Sequence, residues 1–114
     1  MEATNATWQQ CVDDCLSCYR VCHESAFNHC LETGGAHVAP EHFRLMEDCA
    51  QICRTSADFM LRRSAHYMAM CALCSEVCTA CATSCEALEG MQECAKACRR
   101  CAESCTAMVT AGHQ

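Results

Sequence analysis

Fifteen of the sixteen cysteines in this 114-residue chain recur at alternating intervals of three and four. They are Cys11, Cys15, Cys18 and Cys22; Cys49 and Cys53; Cys71, Cys74, Cys78, Cys81 and Cys85; and Cys94, Cys98, Cys101 and Cys105. Seven C-x-x-x-C pairs result, Cys11/Cys15, Cys18/Cys22, Cys49/Cys53, Cys74/Cys78, Cys81/Cys85, Cys94/Cys98 and Cys101/Cys105, with Cys71 and Cys30 left over. Residues four apart on an α-helix have Cβ atoms about 5–6 Å apart. A metal–thiolate bond of about 2.3 Å puts two sulfurs across one ion about 4–5 Å apart. One helical turn can therefore hold a two-coordinate ion, whereas four tetrahedral ligands require several helices.

Thiolate and thioether ligands select Cu(I), zinc or iron–sulfur clusters. Charge separates them. A four-thiolate Zn²⁺ site keeps two negative charges, about eight over sixteen cysteines, and burying uncompensated charge is costly. A monovalent ion at each thiolate leaves none. A thiol-lined interior is then nearly neutral both when protonated and when filled with multiple Cu(I) ions, each ion replacing one proton. Chemically similar Ag(I) fits the same argument.

The three-four interval is the period of one helix face, where a soluble protein usually places Leu and Ile. Leu, Ile, Val and Phe make only 15 of 114 residues, so the thiols must complete the core. Protonated thiols are neutral at pH 7 and cost little to bury, which predicts an apo-protein that is already folded. Punctuation divides the chain into four helices at about residues 7–31, 40–63, 65–88 and 91–110. Thr7 with Gln10 reads as a capping box, and Gly34-Gly35 ends the first helix. Pro40-Glu41 opens the second and Arg62-Arg63 closes it; Ser64 reads as the next N-cap, and Gly90 separates the last two. Short connections make neighbours antiparallel. The expectation is a single domain over residues 1–114: an all-α, up-down-up-down four-helix bundle with a cysteine-lined core.

Such a bundle gathers Cys22, His29, Cys30, His37, His42, Met46, Cys85, Met91 and Cys94 at one end. Trp8, Cys11, Met60, Tyr67, Met70, Cys71, Cys105 and Met108 fall at the other, which reads as apolar and closed. Copper is thus expected to arrive at the histidine-bearing end. His29, His42 and Met46 lie on inward stripes and join the candidate ligands, while His23, His37, His66 and His113 read as surface side chains. Cys30 sits one position off its stripe, as a mouth ligand or a buried thiol. Apolar bands beside the stripes, Trp8, Val12, Leu16 and Tyr19 on one helix and Met70, Leu73, Val77 and Ala80 on another, suit helix packing or a subunit interface.

A net charge of −6 argues against nucleic acid or an anionic membrane as partner. The N-terminus MEATNATWQQ has neither a basic start nor an apolar run, so no signal peptide and no membrane segment are expected and a cytoplasmic location follows. In that reducing setting dense cysteine reads as metal-binding more than disulfide-forming. No Ser/His/Asp set or carboxylate pair suggests an enzyme. Mid-helix thiols match neither a thiol–disulfide oxidoreductase nor the loop ligands of an iron–sulfur carrier. The rival reading is a metallothionein-like zinc buffer, which would stop near one ion per four cysteines.

The chain resembles the copper storage protein family, in particular its cytosolic branch. The motifs that carry the likeness are the opening C-x3-C-x2-C-x3-C from Cys11 to Cys22, the segment Glu47 to Cys53, the block Met70 to Cys81, and the closing run Cys94 to Cys105. The resemblance implies a bundle storing many Cu(I) ions along its core as a homotetramer; a copper chaperone or a copper enzyme is a candidate partner, with donor and recipient left open by the sequence. It also implies histidines and methionines at the mouth. The turn between the last two helices departs from the His-rich form of some members, reading Glu86-Ala87-Leu88-Glu89-Gly90.

Overall fold

The computed structural model describes residues 5–112, which form four long helices and no strand. Helix α1 spans Asn5–Ser25 and is continued by a π-helical turn, Ala26–Cys30, and a final α-turn, Leu31–Thr33. Helices α2, α3 and α4 span Pro40–Leu61, Tyr67–Glu86 and Gln92–Gly112. Each packs on its two neighbours in the ring α1–α2–α3–α4–α1, giving a body of 46 × 21 × 20 Å. The start of α1 meets the end of α4, as Cys11 against Cys105 shows, and the end of α1 meets the start of α4, as Cys22 against Cys94 shows. The up-down-up-down bundle is the observed fold.

The termini obey local chemistry, with two changes. Pro40 takes the first position of α2, where its missing N–H costs nothing, and the Phe43 N–H reaches the Ala39 carbonyl at 2.9 Å. At the other end Arg63, with φ 53°, turns its guanidinium back to donate to the Met60 carbonyl at 2.7 Å. A cation thus satisfies an orphan carbonyl of the last turn. Helix α1 already begins at Asn5, so Thr7 lies inside it rather than at its cap. Helix α3 starts at Tyr67 with His66 at the N-cap; Ser64 instead accepts from the His66 N–H at 3.1 Å, closing the preceding turn.

The π-turn is the one departure from regular helix that moves ligands. A strict three-four stripe from Cys22 would pass through His29 and leave Cys30 beside the core. The turn absorbs one extra residue, so Ala26 and Cys30 come inward, both with no exposed surface, while His29 shifts to the rim. Cys30 is a core thiol, and His29 is half-buried instead of inward-facing.

Gly90, at φ 77°, sits where the α3–α4 turn meets that rim, and a Cβ there would lie 2.8 Å from His29 Nε2. Gly90→Ala is expected to destabilise the apo-protein by about 1–3 kcal/mol, read by urea denaturation, because both the backbone and the imidazole must move. Gly34→Ala meets open space and should cost only the backbone part.

Helix α3 is long and apolar enough to cross a membrane by composition, with a mean hydropathy of 1.4. Its cysteines account for this, and Cys71, Cys74, Cys78, Cys81 and Cys85 all face the bundle interior.

Candidate metal centre

All sixteen cysteines are buried and free. Four inward stripes of short side chains bring their sulfurs into van der Waals contact along the axis. From the closed end, Cys11 Sγ lies 3.7 Å from Cys105, Cys105 is 3.7 Å from Cys15, and Cys15 is 3.5 Å from Cys101. Cys101 is 3.7 Å from Cys53, Cys53 is 3.4 Å from Cys78, and Cys78 is 3.7 Å from Cys49. Cys49 then leads through Cys98 at 3.7 Å to Cys22 at 3.4 Å and on to Cys94 at 3.1 Å. The chain of sulfur continues as thioether: Met46 Sδ is 3.4 Å from Cys85, 3.6 Å from Cys81 and 3.8 Å from Cys94. Cys30 pairs with Met91 Sδ at 3.8 Å. Sulfur ligands therefore run unbroken from one end to the other.

C-x-x-x-C neighbours contribute, as at Cys18/Cys22 and Cys74/Cys78, both 3.8 Å, yet the shortest separations join different helices. Helix spacing alone could not show this. It follows from the close approach that side chains as small as cysteine and alanine allow.

The core holds no positive charge. Among the described residues the buried polar side chains are Asp14, His37, His42 and Ser56; no lysine or arginine is buried. Asp14 accepts from Gln10 at 3.0 Å and from the Ser104 hydroxyl, away from the sulfurs. Nothing nearby would neutralise a set of bare thiolates, so the empty core must carry its protons. Those protons are shared through S–H···S bonds. Contacts with Cys18 and Cys49, then burial, push the Cys22 thiol up; Cys101 heads the groups that do the same to Cys53 and Cys105. Cys18 and Cys74 are pulled down, chiefly by hydrogen bonds from Cys101. Cys30, outside this network, is raised by burial and then by Cys94 and Cys81.

Four sulfur quartets have all members within 4.8 Å of one another: Cys15/Cys74/Cys101/Cys105, Cys53/Cys74/Cys78/Cys101, Cys18/Cys49/Cys53/Cys78 and Cys18/Cys22/Cys49/Cys98. A tetrahedral ion with bonds of about 2.3 Å needs edges of about 3.8 Å, so each quartet could hold one divalent ion. The quartets share cysteines, and no more than two can be filled at once. Cys11, Cys71 and Cys105 form a further three-sulfur group that shares no cysteine with two of the compatible quartets. Titration of the reduced protein with Co²⁺ is accordingly expected to show tetrahedral thiolate absorption for at most about three ions per chain, two of them four-thiolate, short of one per four cysteines. Four or more such ions would contradict the geometry.

Around Met46 and Met91 lie the histidines. His42 is 6% exposed; its Nδ1 is 2.7 Å from the Ser84 hydroxyl, while its Nε2 is buried without a hydrogen-bond partner. Burial, and then His37, hold its imidazole below the ordinary value, which keeps it neutral and fit for a metal. His37, expected on the surface, is buried: its Nε2 donates to the Glu89 carbonyl at 2.8 Å, and its ring stands edge-on to His29 at 5.1 Å. His29 Nε2 reaches the same carbonyl at 3.4 Å. His23 is exposed and stacks on Tyr19, His66 is exposed, and His113 lies outside the described residues. At the opposite end Met60 and Met108 are fully buried, Trp8 packs on Tyr67 with centroids 4.6 Å apart, and the Arg63 guanidinium covers Trp8 at 4.2 Å.

Two hydroxyls escaped the sequence reading. Ser56, 3.8 Å from Cys71 Sγ, occupies a stripe position between Cys53 and Met60, so the interval could have revealed it. Ser84 had no such signal, since its role depends on how α3 sits against His42.

Comparison with known proteins agrees with this geometry. A protein of Nitrosospira multiformis, Nmul_A1745, superposes with a TM-score of 0.93 at 51% identity, over 94% of this chain and 98% of its own. The Cu(I)-bound copper storage protein BsCsp3 gives 0.83 at 34% identity over 90% and 98%. The apo form of copper storage protein 3 from Bacillus subtilis gives 0.79 at 36% over 89% and 97%. Residues 4–110 match the family described as copper storage protein, and with sulfur filling the bundle from end to end, the chain belongs to that family.

Proposed function

We infer that this chain stores Cu(I): it binds many cuprous ions through the thiolates of its core cysteines and holds them away from water. The observation that carries this reading is the continuous file of free sulfurs, each within 4 Å of the next, in an interior with no buried cation. Each ion that enters takes the place of one thiol proton, so the core remains near neutrality as it fills. Divalent ions at the same sulfurs leave two negative charges per four-thiolate site, with no arginine or lysine inside to offset them.

The ligands are the sixteen cysteines with Met46, and copper is taken up at the end that holds His29, His42 and Met46. The matched family and the burial of every cysteine support storage rather than catalysis. The chain acts in the cytoplasm as a homotetramer, a reading supported by family resemblance and by the apolar side chains left open on α1 and α3, Leu16 at 41% and Leu73 at 47% exposure. A copper chaperone or a copper enzyme supplies or receives the metal.

The test is anaerobic titration of the reduced protein with Cu(I) against a competing chelator, with Zn²⁺ in parallel. The expected result is saturation at about one copper per cysteine with little change in helix content. Saturation at about four ions of either metal would favour the zinc-buffer reading instead.

A further inference from the structure

Two cysteines stand outside the C-x-x-x-C pairs. Cys30 rests against the Met91 thioether. Cys71 has Tyr67 four positions before it and Ser75 four after, so its own helix gives it no two-sulfur turn at that interval. It turns instead to its neighbours. Cys11 of α1 and Cys105 of α4 are 3.7 Å apart, and with Cys71 of α3 they form a triad whose sulfurs all lie within 4.8 Å of one another. From α2, the Ser56 hydroxyl stands 3.8 Å from the Cys71 sulfur, with no exposed surface. All four helices thus build one corner of the core, and no fourth cysteine completes the group. Met60 and Met108 are fully buried at this end, and the Trp8–Tyr67 pair lies beneath the Arg63 guanidinium.

Charge and ligand number decide what suits such a corner. Three thiolates leave two negative charges around a cuprous ion and one around a divalent ion, and no lysine or arginine is buried to offset them. Around a trivalent centre they leave none. Sulfur ligands also require that the centre be soft. Trivalent arsenic meets both conditions: it forms three bonds in a pyramid and keeps a lone pair on the fourth side, where each of the quartets would place another thiol. With bonds of about 2.3 Å, a pyramid of this kind needs sulfur–sulfur edges of about 3.5 Å, close to the Cys11–Cys105 separation. In water at neutral pH such arsenic is a small uncharged hydroxide, arsenous acid. A surface depression of about 260 Å³ between α1 and α4 is lined by Thr7, Gln10, Ser104 and Ala107, all uncharged. Gln10 and Ser104 directly precede Cys11 and Cys105 in the chain, so a neutral polar molecule can approach the triad there without meeting a fixed charge.

We propose that Cys11, Cys71 and Cys105 form a binding site for trivalent arsenic, taken up as arsenous acid, so that the chain sequesters this metalloid as a cargo distinct from copper. Three S–H bonds and three As–O bonds break, three As–S bonds and three O–H bonds form, and three waters leave. No electron moves, and arsenic stays trivalent. The corner is neutral before and after, and its apolar cover keeps away the water that would reverse the exchange.

The test titrates the reduced, copper-free protein anaerobically with sodium arsenite. The first equivalent should move the ¹³Cβ resonances of Cys11, Cys71 and Cys105 and leave those of Cys22, Cys49 and Cys98 in place. Arsenic K-edge EXAFS of the one-to-one complex should show three sulfur neighbours and no oxygen, and native mass spectrometry a gain of one arsenic less three hydrogens. Cys71→Ala removes a sulfur that no quartet uses and should weaken the first equivalent at least about a hundredfold, because two linked ligands replace three. Cys98→Ala should stay within about twofold of wild type. A first equivalent that moves Cys22, Cys49 and Cys98 instead, an arsenic with two sulfurs and an oxygen, or unchanged affinity in Cys71→Ala would each overturn the proposal. The resonances and EXAFS are read on the wild type, so the outcome does not depend on the variant's folding, and copper capacity is measured separately.

Discussion

Lowering the pH from about 7.5 to about 5.5 is expected to weaken Cu(I) binding by about a hundredfold per ion. Cys22, Cys53 and Cys105 are thiols pushed above their ordinary range, Cys22 first by Cys18 and the other two first by Cys101, so they are protonated in the empty protein throughout this window. Each must release a full proton to take copper. Acid adds that proton to the unbound side of the equilibrium, so affinity falls tenfold per pH unit for every proton displaced. Competition titrations across the range measure the slope. Affinity that ignores pH would mean that copper sits on groups with no proton to lose.

The second large effect is thermal. An ion that binds only the folded protein, at a thousandfold excess over its dissociation constant, adds about 4 kcal/mol to stability. In a domain of this size each kcal/mol raises Tm by about 4 °C. Several ions held together across all four helices should therefore remove the unfolding transition from the range below about 95 °C, as followed by far-UV circular dichroism. The apo-protein should unfold cooperatively at a much lower temperature, because its core is already closed: every cysteine is buried and the helices pack without metal. Loaded and empty protein melting within a few degrees of each other would place copper on the surface rather than in the core.

Much of this architecture was legible in the interval between cysteines. A three-four repeat sustained on four segments can only form inward stripes, and Pro40, Arg62-Arg63 and the glycines at 34, 35 and 90 mark where the segments stop. What escaped depended on register or on contacts between helices. The π-turn at Ala26–Cys30 exchanged the roles of His29 and Cys30, since a periodic reading assumes 3.6 residues per turn and one extra residue rotates everything beyond it. His37 looked like a loop side chain because its burial comes from a carbonyl in a distant turn, that of Glu89. The pairing of His42 with Ser84 likewise joins α2 to α3 across 42 residues. Even the copper chemistry was only half visible: C-x-x-x-C predicts two-sulfur turns, whereas each of the overlapping quartets draws on three helices at once.

Native mass spectrometry during anaerobic copper loading examines the exchange of hydrogen for metal most directly. The predicted spectrum is a ladder in which each step equals the mass of one copper less one hydrogen, continuing to about sixteen steps for sixteen cysteines. A ladder that ends at about four, or steps that lose two hydrogens for each metal, would show the sulfur core to be something other than a neutral store for cuprous ions.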